Sequence, residues 1–347
     1  MYMKLTTKPY ADHITEYTLV NDNGMRVSFI DYGCIITDVV VPDRDGRFKS
    51  VILSFDSLEE YQKNRNFYFG AIVGRFTGRI SNASFALHDS VYRVCDNDGV
   101  NSLHGGGEFS EAFWEAEERS SDSCVGVKFT LISPDGSRGF PGNVATSVVY
   151  SLDNTNTFYI KINAQTDRET VLNISNHTYF NLSGNCSRDV RDHLLCTPVS
   201  SYAAIREDCT PTGELVPVSG TPFDFRNPAP IRSGTESDYA QNVIVGNGFD
   251  HPFLFDEDAE KLLTLKDPQS GRKLTLRTDY PAFVIYSCSA MPEGIPMRYG
   301  KTGQYAGLAL EAQYLPDCMN KSGFGNCTIK EGEEYSHFIS WSFDVDA

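Results

Sequence analysis

Four short segments of this chain gather side chains that carry proton chemistry. His104 sits in Asn101-Ser-Leu-His104-Gly-Gly-Gly107 and His177 in Asn173-Ile-Ser-Asn-His177-Thr-Tyr-Phe-Asn-Leu182. Asp250 and His251 are adjacent in Gly248-Phe-Asp-His-Pro-Phe253, and Glu311 falls in Gly307-Leu-Ala-Leu-Glu311-Ala-Gln313-Tyr314. Imidazoles and carboxylates exchange protons near neutral pH and can also ligate a metal. Residue type alone leaves both uses open.

What must position these groups narrows the choice. The glycines after His104 forbid a stable helix and permit positive φ, so His104 is expected on a loop rim. That argues against pairing it with Glu108 as helical metal ligands, and no phosphate-cradling glycine motif is present. Around His177, three Asn and one Thr crowd a segment that otherwise reads as a strand end. So many donors and acceptors are costly to bury unless they face a polar cavity or form a hydrogen-bonded corner. In an extended chain Asp250 and His251 point to opposite faces, so only one of them lines a given site. Along 308–313 the same alternation puts Leu308, Leu310 and Ala312 on one face and Ala309, Glu311 and Gln313 on the other. His13, His88, His193 and His337 lie in no such cluster and are expected in structural or surface roles.

The elements carrying these segments read as strands. Period-2 runs of β-branched and aromatic residues occur at 27–32, 35–41, 125–132, 147–152, 157–163, 273–277 and 338–345, separated by Gly, Asn, Asp and Pro turns. Only 57–63 and 111–118 suggest helices, and both are short. The expected fold is therefore all-β, one large antiparallel β-sandwich with few short helices. A length of 347 residues would allow about two domains, yet no long linker divides the chain. The Pro-rich stretch 210–230 contains Phe223-Asp-Phe225 and is expected to dock as an ordered loop, leaving residues 1–347 as a single domain.

Composition excludes several partners. Thirty Lys and Arg against 46 Asp and Glu leave a net charge of −16, which opposes binding to nucleic acid or an anionic membrane surface. No run is long and apolar enough for a transmembrane helix, and the opening residues lack a signal-peptide core. Nine scattered cysteines without a C-x-x-C suit reduced thiols, so a cytoplasmic location is expected.

Taken in order, the four segments, together with Gly70-Ala-Ile-Val-Gly-Arg-Phe-Thr-Gly-Arg-Ile80, Trp114, Pro316-Asp317 and Asn320, resemble the aldose 1-epimerase (galactose mutarotase) family over nearly the whole chain. The resemblance implies a galactose mutarotase-like supersandwich that interconverts the α and β anomers of a free aldose. It implies Glu311 as catalytic base, His177 as catalytic acid, and Arg79, His104 and Asp250 as sugar-binding residues. No cofactor or metal is expected, the partner is a small sugar, and the assembly is a monomer or homodimer. Two positions depart from the family pattern: Gly78 stands where an Asn is common, and Val284 where a Gln contacts the sugar. Galactose preference is therefore not carried over. Rival readings are a sugar-phosphate epimerase using Arg75 and Arg79, a non-catalytic carbohydrate-binding module, and a metal site made from His104, His177 and His251.

Overall fold

The computed structural model describes residues 3–121 and 123–346. Met1 and Tyr2 of the opening segment lie outside the described residues. The chain is all-β, built on three antiparallel sheets. A five-stranded meander runs from Lys4–Ala11 through Ile14–Val20, Arg26–Ile30 and Ile36–Pro42 to Phe48–Ser50. A nine-stranded sheet contains Glu115–Glu118, Cys124–Ser133, Val144–Asp153, Thr157–Thr166, Tyr335–Val345, Arg272–Thr278, Leu262–Lys266, Leu194–Cys196 and Ala229–Pro230, in that spatial order. A six-stranded sheet orders Tyr179–Phe180, Leu308–Gln313, Ala282–Tyr286, Asp250–Leu254, Ser201–Ile205 and Pro211–Pro217.

Alternation explains how the sheets bury one another. In Thr157–Thr166, Phe158, Ile160, Ile162 and Ala164 turn inward while Tyr159, Lys161 and Gln165 are exposed. One core joins all three sheets: Phe29 from the meander, Phe129, Tyr150 and Trp341 from the nine-stranded sheet, and Phe253, Phe283 and Leu310 from the six-stranded sheet. Each fully buried aliphatic or aromatic side chain there contributes roughly 1.5–3 kcal/mol.

The helix expected at 57–63 forms over Leu58–Lys63, with Ser57 Oγ accepting from the Glu60 N–H. The helix expected at 111–118 does not form. Glu115–Glu118 is instead the edge strand of the nine-stranded sheet, in register with Val127–Thr130. Sheet pairing outweighs the weak helical preference of this Glu-rich stretch, and its exposed acids discourage another chain from adding to the edge. The stretch 210–230 docks on the body as expected, with Phe223 stacked on Tyr202 at 4.0 Å, but it is not all loop: Pro211–Pro217 forms a strand at the edge of the six-stranded sheet. Among the described residues no helix is long and apolar enough to cross a membrane.

Candidate active site

One face of the six-stranded sheet floors a cleft of about 460 Å³, within the usual range for small-molecule sites. The register sets out a grid. Glu311 pairs with Val284 and Val284 with Pro252, while in the next row Asp250 pairs with Tyr286 and Tyr286 with Ala309. All six residues except Ala309 line the cleft, as does Gln313. Leu308, Leu310 and Ala312 enter the core on the opposite face. Asp250 and His251 part as expected. Asp250 lines the cleft, whereas the buried His251 ring packs on Phe223 at 4.7 Å and its Nδ1 accepts from the Asp250 N–H. A metal set that includes His251 is therefore not assembled.

His177 hangs between two ladders. Its N–H donates to Ala71 and its carbonyl accepts from Gly70, just beyond the pairing of Ser175–Asn176 with Ile72–Val73. The surrounding amides serve the backbone. Asn173 binds Thr77 and Tyr314, Asn176 binds Gly70 and Thr178, and Asn181 binds Arg188 and Ala306. The polar crowding is thus mostly a hydrogen-bonded corner, from which His177 and Tyr179 line the cleft.

His104 follows a two-residue ladder that joins Ser102–Leu103 to Arg79–Ile80. Its N–H donates to the Gly78 carbonyl, and the Gly78 N–H donates to its Nδ1. A neutral His104 therefore carries its proton on Nε2. The residue adopts φ 49° and Gly105 φ 66°, and a Cβ at Gly105 would lie 2.1 Å from the Gly74 carbonyl oxygen. Only glycine permits that turn. Arg79 is held from both sides, its Nε 2.7 Å from Asp98 and its Nη1 3.5 Å from Asp250.

These elements bring all five expected residues together. His177 Nε2 stands 3.4 Å from Glu311 Oε1, and the His104 and His177 rings meet edge to face at 4.9 Å. Donor atoms of His104, His177 and Glu311 lie within 4.8 Å of one another, close enough to pass a proton or to approach one cation. Burial lifts the Glu311 carboxyl well above the usual carboxylate range, with Asp250 adding to the effect and Arg79 opposing it. Burial also pulls the His177 imidazole down to about 4. His104 falls well below its ordinary value through burial, then through the nearness of His177 and Arg79. Asp250 is raised by burial in spite of Arg79.

Arg75, weighed with Arg79 as a phosphate clamp, is elsewhere. It is fully buried, and its guanidinium donates to Ser133 Oγ and to the carbonyls of Ser133, Pro134, Pro141 and Gly142. Its donors are spent on loop backbone, and Arg79 is the one Arg or Lys among the described residues lining the cleft. Sequence reading did not single out Tyr68, Tyr179 or Tyr286, which wall the cleft. Cross-strand register places Tyr286 beside Asp250, but in the sequence an aromatic in a strand looks the same whether it faces a cleft or a core. The other four histidines behave as expected. His13 and His88 are exposed, the buried His193 accepts from the Leu182 N–H, and His337 stacks on Tyr280.

Three comparisons bear on this geometry. The sequence profile of the aldose 1-epimerase family matches residues 15–342. The chain is 35% identical over 342 residues to galactose mutarotase of Sus scrofa, covering 96% of this chain and 95% of that protein. It is also 35% identical over 335 residues to aldose 1-epimerase of Escherichia coli K12, covering 94% of each. Among solved structures, the galactose 1-epimerase of Lactobacillus acidophilus NCFM superposes with a TM-score of 0.88 at 30% identity, covering 100% of both chains.

Proposed function

The chain belongs to the aldose 1-epimerase family, and on that footing we propose that Glu311 and His177 interconvert the α and β anomers of a free aldohexose. The protein is an isomerase, and the observation that carries the residue assignment is the buried Glu311–His177 pair, 3.4 Å apart on the cleft floor.

Anomer exchange moves two protons and breaks one ring bond. A base removes the proton on O1 while an acid protonates the ring oxygen. The bond from C1 to the ring oxygen then opens, leaving an aldehyde and a free hydroxyl. After rotation about the bond between C1 and C2, the hydroxyl adds to the other carbonyl face with the two protein groups in exchanged roles. The pair therefore needs one proton between its members, no more and no less. Burial favours the neutral form, with Glu311 protonated and His177 not. Transfer of that proton to His177 gives the carboxylate base that takes the O1 proton and the imidazolium acid that protonates the ring oxygen. Both forms hold the same proton count, so little rearrangement separates rest from reaction. Each well-placed acid or base contributes roughly 10²–10⁴-fold.

The rest of the cleft binds. Asp250 accepts from sugar hydroxyls, while Arg79, oriented by Asp98 and Asp250, and His104 through Nε2, donate. Glu207, Asp250 and Glu311 face the cleft with a single arginine, which supports a neutral sugar over a phosphorylated one. Nine free cysteines support a reducing, cytoplasmic setting. Polarimetry on freshly dissolved α-D-glucose and α-D-galactose tests the reaction and its sugar preference together. Glu311→Gln and His177→Asn should each lose most of the acceleration, and a near-wild-type rate from either removes that residue from its role.

A further inference from the structure

Gln313 follows Glu311 on the same face of its strand, about 7 Å further along, and lines the cleft beside Gly78, Arg79 and Pro316. Its amide orientation is set by a chain of hydrogen bonds. The Tyr314 N–H donates to Asn173 Oδ1, and Asn173 Nδ2 donates to the Thr77 carbonyl, which fixes Asn173. The same Nδ2 donates to Gln313 Oε1 at 3.2 Å, which fixes Gln313. Its Nε2 is left buried and, among the described residues, without an acceptor. An unpaired buried amide donor costs free energy, and folded proteins keep few of them. The residue that carries it lines the cleft, where its Oε1 lies close to Gly78. A Cβ at Gly78 would lie 2.8 Å from Pro316 Cγ and 3.3 Å from Gln313 Oε1.

Resting on the reading that the cleft binds a free aldose, we propose that Gln313 is a specificity-determining residue whose Nε2 donates to one secondary hydroxyl of the sugar. The separation from Glu311 is close to the breadth of one pyranose ring. A sugar with its O1 at the Glu311–His177 pair therefore brings a ring hydroxyl toward the amide. The contact persists from bound sugar to open aldehyde, so it acts on binding more than on the chemical step.

The test compares wild type with Gln313→Met on glucose and on its 2-deoxy, 3-deoxy and 4-deoxy analogues by polarimetry. For glucose, KM should rise roughly tenfold to a hundredfold with kcat little changed. For one deoxy sugar, kcat/KM should be the same in both proteins, because the hydroxyl that Nε2 meets is already missing. An equal loss on all four sugars, or no loss on any, overturns the proposal. If Gln313→Met does not fold, the side-chain amide resonances of wild-type protein labelled with ¹⁵N-glutamine decide. The Gln313 signal, assigned with Gln313→Glu, should shift on saturation with glucose, and an unmoved signal overturns the proposal. The parallel wild-type rate keeps the two claims apart. No acceleration by wild type defeats the function proposed above, whereas acceleration with unaltered discrimination defeats only the role of Gln313.

Discussion

The Glu311 carboxyl and the His177 imidazole are placed where neither gains from its charge, and two outcomes follow. With its folded pKa raised, Glu311 keeps a proton that the unfolded chain gives up above about pH 4.3. Its contribution is favourable only at low pH and is lost as pH rises toward the folded value. Glu311→Gln should therefore melt a few degrees higher than wild type at pH 8, by about 1–4 °C per kcal/mol recovered. The difference should shrink toward pH 4, while activity falls at least about a hundredfold. Calorimetry at the two pH values checks this, and a variant less stable than wild type at pH 8 would show that the carboxyl is not held neutral. For catalysis, acid adds a second proton to the pair at His177, whose pKa is pulled to about 4. Acceleration above the buffer blank should fall as pH drops through that value and hold steady just above it. Stopped-flow polarimetry between pH 3.5 and 6 reads the midpoint directly.

At the scale of elements, short ladders and one glycine turn aim the site. The turn after Leu103 presents His104 only because Gly105 passes 2.1 Å, measured from an added Cβ, from the Gly74 carbonyl oxygen. Gly105→Ala should cost several kcal/mol and most of the activity, since the backbone must move and His104 with it. Gly46→Ala is the control, with φ 76° but nothing within 4 Å of an added Cβ. It should cost only about 1 kcal/mol and leave activity intact, as thermal melts and polarimetry of both variants will show. The same elements explain what was legible beforehand. Alternation alone parted Asp250 from His251 and set Glu311 and Gln313 opposite Leu308, Leu310 and Ala312, because a strand has only two faces; that Asp250 and Glu311 take the cleft side followed from the family resemblance. The amphipathic runs marked the central strands for the same reason. Residues 111–118 misled because four exposed positions carry no burial pattern, and their state is decided by a partner strand nine or more residues downstream. Arg75 misled because guanidinium recognition of loop carbonyls has no sequence signature. The inward tyrosines were invisible because strand cores use the same residues.

At the scale of the molecule, one core spans three sheets, from which we infer that the chain unfolds as a single unit. Near-ultraviolet dichroism and tryptophan fluorescence should report one coincident transition, and two separated transitions would refute it. Acid should undermine that unit early. His177, His193 and His251 are pulled by burial to about 4, about 4 and about 3, while in the unfolded chain each protonates near 6.5. Their contribution is complete above pH 6.5 and is lost as pH falls toward the folded values, by roughly 1.4 kcal/mol per pH unit for each histidine. The melting temperature should therefore decline steadily from pH 6.5 to pH 4. The place of Tyr335–Val345 between Thr157–Thr166 and Arg272–Thr278 has a further consequence, for biosynthesis. Thr157 pairs with Ser342, 185 residues later. At about 5–20 residues per second, a ribosome needs about 10–40 s to deliver the strand that fills this gap. The edge of Thr157–Thr166 stands open for that whole interval and the edge of Arg272–Thr278 for the last part of it, so the nascent chain depends on slow misassociation or on holding factors until the last ladder is laid.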